Sequence, residues 1–294
     1  MRSASTPQGS DLSRTRHRTT PPKNVQVDSH LSCSPRAVTV AGNTVVKIQE
    51  PQASLRERLR TQAGQLVGRR TGLFVVPAIV SFDDTRGEIV FERLPLTGIR
   101  RILADENRSI EVAGQAAEVL AAIHSQMVPG CDERPESYLD GGMVHNREAV
   151  PLHGDFGMRN IFWTADSDLP VVIDWANADW IGTDADCGAP EIDVAVFMIS
   201  LFHRRMFGPL PISRRHEVAH HFLGTYASKS PYGLDLPTLK TIVADTKPGF
   251  NQRHRRHKGL LRALAYRHGM IDLTLFLGRL SAKYFAGPSS PQRG

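Results

Sequence analysis

Residues 152–175 read LHGDFGMRNIFWTADSDLPVVIDW. Two apolar runs, Ile161-Phe162-Trp163 and Val171-Val172-Ile173, flank a polar turn and predict the two arms of a β-hairpin. A polar cluster stands beside each arm. His153-Gly154-Asp155 is followed after four residues by Asn160, and Asp174 comes 14 positions past Asn160. A hairpin brings the start of its first arm next to the end of its second, so Asp155, Asn160 and Asp174 converge. Two carboxylates and an amide oxygen at one place suit phosphoryl transfer: one carboxylate orients an attacking hydroxyl, and the other two groups hold Mg²⁺ against a triphosphate.

Upstream, RAVTVAGNTVVKIQ (36–49) alternates around Ala41-Gly42-Asn43 and predicts a hairpin, since Gly and Asn tolerate positive φ. SLRERLRTQAGQLVGRR (54–70) reads as a helix with Leu55, Leu59, Leu66 and Val67 on its apolar side and Ser54 as N-cap. FVVPAIVSF (74–82) and GEIVFERL (87–94) predict two more strands about a turn at Asp83–Gly87. A helix from about 110 to 126 places Val112, Ala116, Val119, Leu120 and Ile123 on one face. IDVAVFMISLF (192–202), apolar nearly all round, predicts a buried helix. A strand-rich unit followed by a helix-rich one is an α+β pattern. No repeat of 20–50 residues is present.

Composition excludes several classes. The 294 residues contain no apolar run long enough to span a bilayer, and no secretory leader at the N-terminus. Cys33, Cys131 and Cys187 form no CxxC pair, so neither a disulfide framework nor a zinc cluster is indicated, and a cytoplasmic setting fits. Residues 1–35, rich in Ser, Thr, Pro and Arg, predict a disordered basic tail. Charge is unevenly placed: residues 131–200 carry a net −11 and residues 201–294 a net +12, within a total of +6.

LHGDFGMRNIFW and VVIDWANADW together resemble the catalytic and metal loops of aminoglycoside-phosphotransferase-like small-molecule kinases, distant relatives of protein kinases. Gly154 stands where the protein-kinase loop H-R-D-x-x-x-x-N has Arg, which favours the small-molecule branch. Leu120–His124 matches the end of the helix before the catalytic loop, and Glu191-Ile192-Asp193-Val194-Ala195 the aspartate run after the metal loop. The resemblance spans roughly residues 36–202. It implies a two-lobed protein-kinase-like fold, with a small N-lobe over 36–95 and a larger helical C-lobe over 96–294. ATP and Mg²⁺ are the implied cofactors. Asp155 is then the catalytic base, Asn160 and Asp174 are metal ligands, and His153 and Asp193 brace the loop. Lys47 is the strand lysine on the phosphates, and Glu57 its helix partner or, with Ser54, a capping box. Glu92 and Leu94 flank the hinge that meets adenine. No G-x-G-x-x-G precedes Lys47, and no activation segment or A-P-E motif lies between Asp174 and Asp193, unlike protein kinases.

Relatives that phosphorylate cationic aminoglycosides line the acceptor site with carboxylates. Here the last 94 residues contain four acids against the basic runs His203-Arg204-Arg205, Arg214-Arg215-His216 and Arg253–Lys258. A neutral or anionic acceptor is expected, a sugar, glycan or metabolite bearing a hydroxyl. Two alternatives stay open: an aminoglycoside O-phosphotransferase conferring resistance, and a degenerate kinase-fold module that binds anionic partners. Nucleic acid is disfavoured, because Phe250 and Tyr266 are the sole aromatics near the basic run.

Overall fold

A computed structural model of the chain describes residues 37–103, 108–128, 148–164, 168–175, 186–203, 210–246 and 260–281, together with Phe285. All of them belong to one compact unit, Ser34–Gly294. The predicted tail and the basic residues 204–205 and 253–258 lie outside the described residues.

The first hairpin forms as expected. Strands β1 (Ala37–Ala41) and β2 (Thr44–Ile48) pair antiparallel, and Gly42 takes φ 56° at the turn. Strands β3 (Ile79–Asp83) and β4 (Glu88–Glu92) complete an antiparallel sheet in the order β1-β2-β4-β3. Asp83 Oδ1 nucleates the turn between them, accepting from Thr85 N at 2.9 Å and Thr85 Oγ1 at 2.6 Å. Gly87 closes it at φ 64°, where an added Cβ would stand 2.0 Å from the Gln49 carbonyl oxygen. The expected strand 74–82 contributes only its second half to this sheet. Val75 instead exchanges backbone hydrogen bonds with Pro170 and Val172 (2.8 and 2.9 Å), and Pro77 between the halves has no N–H for a ladder.

Helix α1 (Pro51–Thr71) corrects the sequence reading at both its start and its buried side. Its N-cap is Glu50, whose carboxylate accepts from Ala53 N at 2.8 Å, with Pro51 in the first turn. Ser54 is therefore interior to the helix and the capping box does not form. Leu55, Leu59 and Leu66 are exposed (39%, 53% and 56%), and of the expected stripe only Val67 is buried. The buried side is made of Ser54, Glu57, Arg60, Thr61 and Gly64. The reason is that this helix faces charged partners across the site, so its polar residues turn inward.

The helical part packs α3 (Ser109–Gln126) against α5 (Ile212–Lys229), with α4 (Glu191–Phe202) buried along almost its whole length. Phe197 and Phe222 stack at 3.8 Å between ring centres in that core. Helix α6 (Leu260–Arg279) packs on α4, and residues 236–246 are also helical. Three short ladders carry the loops between these layers. Strand β5 (Leu96–Gly98), which leads into the short α2 (Ile99–Ile102), pairs with β7 (Ile161–Thr164). The predicted hairpin is β7 with β8 (Pro170–Val172), Ile161 opposite Val172. Strand β6 (Val150–Pro151) pairs with β9 (Cys187–Gly188). Among the described residues no helix is long and apolar enough to cross a membrane. Cys187 is disulfide-bonded, which the cysteine spacing did not indicate, because spacing reveals only pairings close in sequence.

Trp175, directly after Asp174, is 1% exposed and lies against Gly64 of α1, where an added Cβ would fall 2.5 Å from the indole. Glycine is required here for close approach, not for its backbone freedom. Gly64→Ala is expected to cost about 1–3 kcal/mol by forcing helix and indole apart, read as a lower urea midpoint at unchanged m-value.

Candidate active site

Lys47 sits on β2 with its side chain 10% exposed, and its ammonium bridges two carboxylates. Nζ donates to Glu57 Oε1 at 2.6 Å and to Asp174 Oδ1 at 2.7 Å. Gln49, one strand period along, donates Nε2 to the other Glu57 oxygen at 2.7 Å. Glu57 thus has both oxygens engaged, by Lys47 of β2 and by Gln49 just past its end, which is why this glutamate can stay 1% exposed on the inner side of α1. Asp174 holds φ 60°, a left-handed conformation that is uncommon outside glycine. Backbone strain of this kind, at the end of a buried strand, aims the carboxylate away from the hairpin and at Lys47.

The loop 153–160 folds on itself. Gly157 N bonds the Asp155 carbonyl at 2.6 Å and Asn160 N the Gly157 carbonyl at 2.9 Å. Asn160 Nδ2 donates to both the Asp155 carbonyl (2.9 Å) and Asp155 Oδ2 (2.8 Å). With its amide nitrogen so committed, the Asn160 oxygen is the atom that can serve as a ligand. Arg159 also grips Asp155 Oδ2, through Nε at 3.1 Å and through Nη2. Burial pushes the Asp155 carboxyl above the ordinary aspartate range, with Arg159 opposing that rise and Asp174 adding to it. A carboxylate of raised basicity is a better proton acceptor.

Asp193, near the start of α4 and fully buried, ties the loop to the core. Its oxygens accept from the backbone N–H of His153 (2.7 Å) and Gly154 (2.9 Å), and His124 Nε2 lies 3.2 Å away. The other ring nitrogen of His124 meets the Tyr226 hydroxyl at 2.7 Å, so the chain of contacts runs from the loop through α3 to α5. Burial pushes Asp193 up, but the His124 contact and the backbone N–H of His153 outweigh it and hold the carboxyl below its ordinary value. His153 is packed on Trp175 at 4.6 Å, and its Nδ1 accepts from Asp155 N at 3.2 Å. Burial holds this imidazole down at about 4, against the pull of Asp193.

A cavity of about 310 Å³ opens between the sheet and the loops. Its walls are largely apolar (Val38, Val45, Val76, Phe91, Leu96 and Ile173 among them), and Lys47, Glu57, Asn160 and Asp174 gather on its lining. Glu92 and Leu94 line it too, on the segment leaving β4, where the Glu92 carboxylate accepts from Ala78 N at 2.7 Å. Of the residues singled out from sequence, then, Lys47, Glu57, Glu92, Leu94, Asn160 and Asp174 share one cavity. Asp155 joins it through Asn160, with His153 and Asp193 beneath. Sequence reading missed Gln49 and Arg60. Arg60, on α1 one turn after Glu57, bonds Asp186 at 2.8 Å and the carbonyl of Leu152 just before the loop. Helical spacing from Glu57 could have found it. Arg214, Arg215 and His216, expected as part of a basic acceptor wall, are instead paired with Glu217 and Asp272.

Among solved structures, a choline/ethanolamine kinase family protein from Mesorhizobium loti aligns at TM-score 0.51 and 14% identity, over 84% of this chain and 86% of that one. The chain has a protein-kinase-like fold. A glucosamine kinase in complex with glucosamine, ADP and inorganic phosphate aligns at TM-score 0.49 and 15% identity, over 84% of this chain and 80% of that one. The GDP complex of aminoglycoside 2'-phosphotransferase-IIIa does so at 0.48 and 13%, over 82% and 89%. No protein-family model and no curated protein matches the sequence.

The buried His153 makes acid sensitivity testable. Its folded value of about 4 lies below the 6.5 of an exposed imidazole, so in that window the unfolded chain binds more protons. Stability should fall as pH drops from about 6.5 to 4, by up to roughly 3 kcal/mol. Urea unfolding at pH 7 and 4.5 checks this, and His153→Asn, which keeps an acceptor for Asp155 N, should flatten the dependence.

Proposed function

We propose that this protein is an ATP- and Mg²⁺-dependent phosphotransferase that moves the γ-phosphoryl group onto a hydroxyl of a small, neutral or anionic acceptor. The observation that carries the reading is the double engagement of Lys47 by Glu57 and Asp174 at one end of an apolar cavity, with Asn160 and Asp155 joined next to it. The apolar walls suit an adenine ring, and the segment Glu92–Leu94 offers it backbone groups. The small lobe, 36–95, and the large lobe, 96–294, contribute facing walls.

Lys47, positioned by Glu57, draws the phosphates toward β2. The Asp174 carboxylate and the Asn160 amide oxygen fit Mg²⁺, a hard cation that takes oxygen ligands and completes its shell with phosphate oxygens. What a bound Mg²⁺ supplies is neutralisation of charge on the β- and γ-phosphates. Asp155 orients the acceptor hydroxyl and takes its proton, and burial makes it the more basic for that task. Because the transition state is loose, positioning and charge neutralisation are the main contributions asked of these residues.

Mg²⁺-dependent ADP release across cationic, neutral and anionic hydroxyl compounds tests it. Asp155→Asn should lower turnover by about 10²–10⁴-fold while leaving nucleotide affinity intact. Asp174→Ala should weaken Mg²⁺-nucleotide binding as well, and Lys47→Met should raise the KM for ATP. Full activity in Asp155→Asn would refute the assignment.

A further inference from the structure

Arg159 is unexplained by anything above. It lies on the loop between Asp155 and Asn160, yet its side chain is 59% exposed while the Asp155 side chain it grips is 3% exposed. Two of its nitrogens converge on one oxygen, Asp155 Oδ2, which Asn160 Nδ2 also contacts. The nucleotide cavity is lined by Asn160 and Asp174 but by neither Asp155 nor Arg159. The guanidinium therefore lies outside the nucleotide cavity and against the carboxylate that an acceptor hydroxyl must approach.

We propose that Arg159 is the specificity-determining residue of the acceptor site and selects hydroxyl compounds that carry a carboxylate or phosphate group close to the reacting hydroxyl. This rests on the kinase reading of Asp155 and narrows its acceptor class from neutral or anionic to anionic. Anchored on Asp155 from one edge, a guanidinium still has N–H donors at its other edge for a second oxyanion, and its planar fork suits carboxylate and phosphate. An ammonium group brought to the same place meets like charge instead. With Arg214, Arg215 and His216 engaged by Glu217 and Asp272, Arg159 is the described cation in contact with the catalytic carboxylate.

The test uses the full chain held with Mg²⁺ and a non-hydrolysable ATP analogue. Matched compounds are titrated calorimetrically: an amino sugar, its parent sugar and the corresponding uronic acid, and an amino alcohol, polyol and hydroxy acid of equal chain length. The anionic member of each set should bind about tenfold tighter than the neutral one, the size of one charge-assisted hydrogen bond, and the cationic member most weakly. Arg159→Gln should bring the anion-to-neutral ratio close to one, and Arg159→Lys should keep part of it, with analogue affinity unchanged in both. Equal binding of all three members, binding of none, preference for the cation, or a preference that survives Arg159→Gln overturns the proposal. Failure of the analogue itself to bind would overturn the kinase reading along with it, whereas bound analogue with the wrong charge order overturns the role of Arg159 alone.

Discussion

A single buried ammonium organises the cavity of this protein. Lys47 can stay inside because Glu57 and Asp174 approach it from two different elements, helix α1 and the end of the β7–β8 hairpin. Removing one partner of such a buried group costs about 3–5 kcal/mol, since the remaining charge is left uncompensated. That cost sets much of the surrounding geometry. It turns the polar side of α1 inward, brings Gln49 to the second oxygen of Glu57, and leaves the leucines of α1 facing solvent. Helix α1 is consequently a charged strut between the sheet and the loops. Arg60, one turn further on, joins the same strut to Asp186 and to the carbonyl before His153.

A second buried carboxylate does the corresponding work for the loop 153–160. Asp193 has no solvent contact, and each of its oxygens is engaged by a backbone N–H of the loop. Through His124 and Tyr226 it connects that loop to α3 and α5. The two centres meet at Trp175, whose indole packs on His153 and on the α1 backbone at Gly64. Displacing α1 would therefore disturb both the lysine pair and the loop.

Much of the site is legible in the sequence because most of it is local. Asp155, Asn160 and Asp174 lie within 20 positions and one hairpin, and a hairpin has predictable geometry. Lys47 is 127 positions from Asp174, so no local pattern joins them; only the resemblance to small-molecule kinases does. What misled the reading of α1 was the assumption that leucines mark the buried side. In a helix whose inner face meets fixed charges, Glu57 and Arg60 take that side instead. The basic runs misled for a related reason: Arg215 and His216 look available in sequence, and their acidic partner Asp272 comes from α6, more than 50 residues away. Arg159 carries no signal beyond its place in the loop, and its grip on Asp155 becomes visible only with coordinates.

The most direct measurement is a crystal structure of the full chain with Mg²⁺ and a non-hydrolysable ATP analogue. The central claim predicts the base against the apolar walls between Val38 and Leu94, metal on the Asp174 carboxylate and the Asn160 oxygen, and Lys47 on the phosphates with its Glu57 contact retained. Nucleotide bound elsewhere, or metal bound without Asp174, would contradict it.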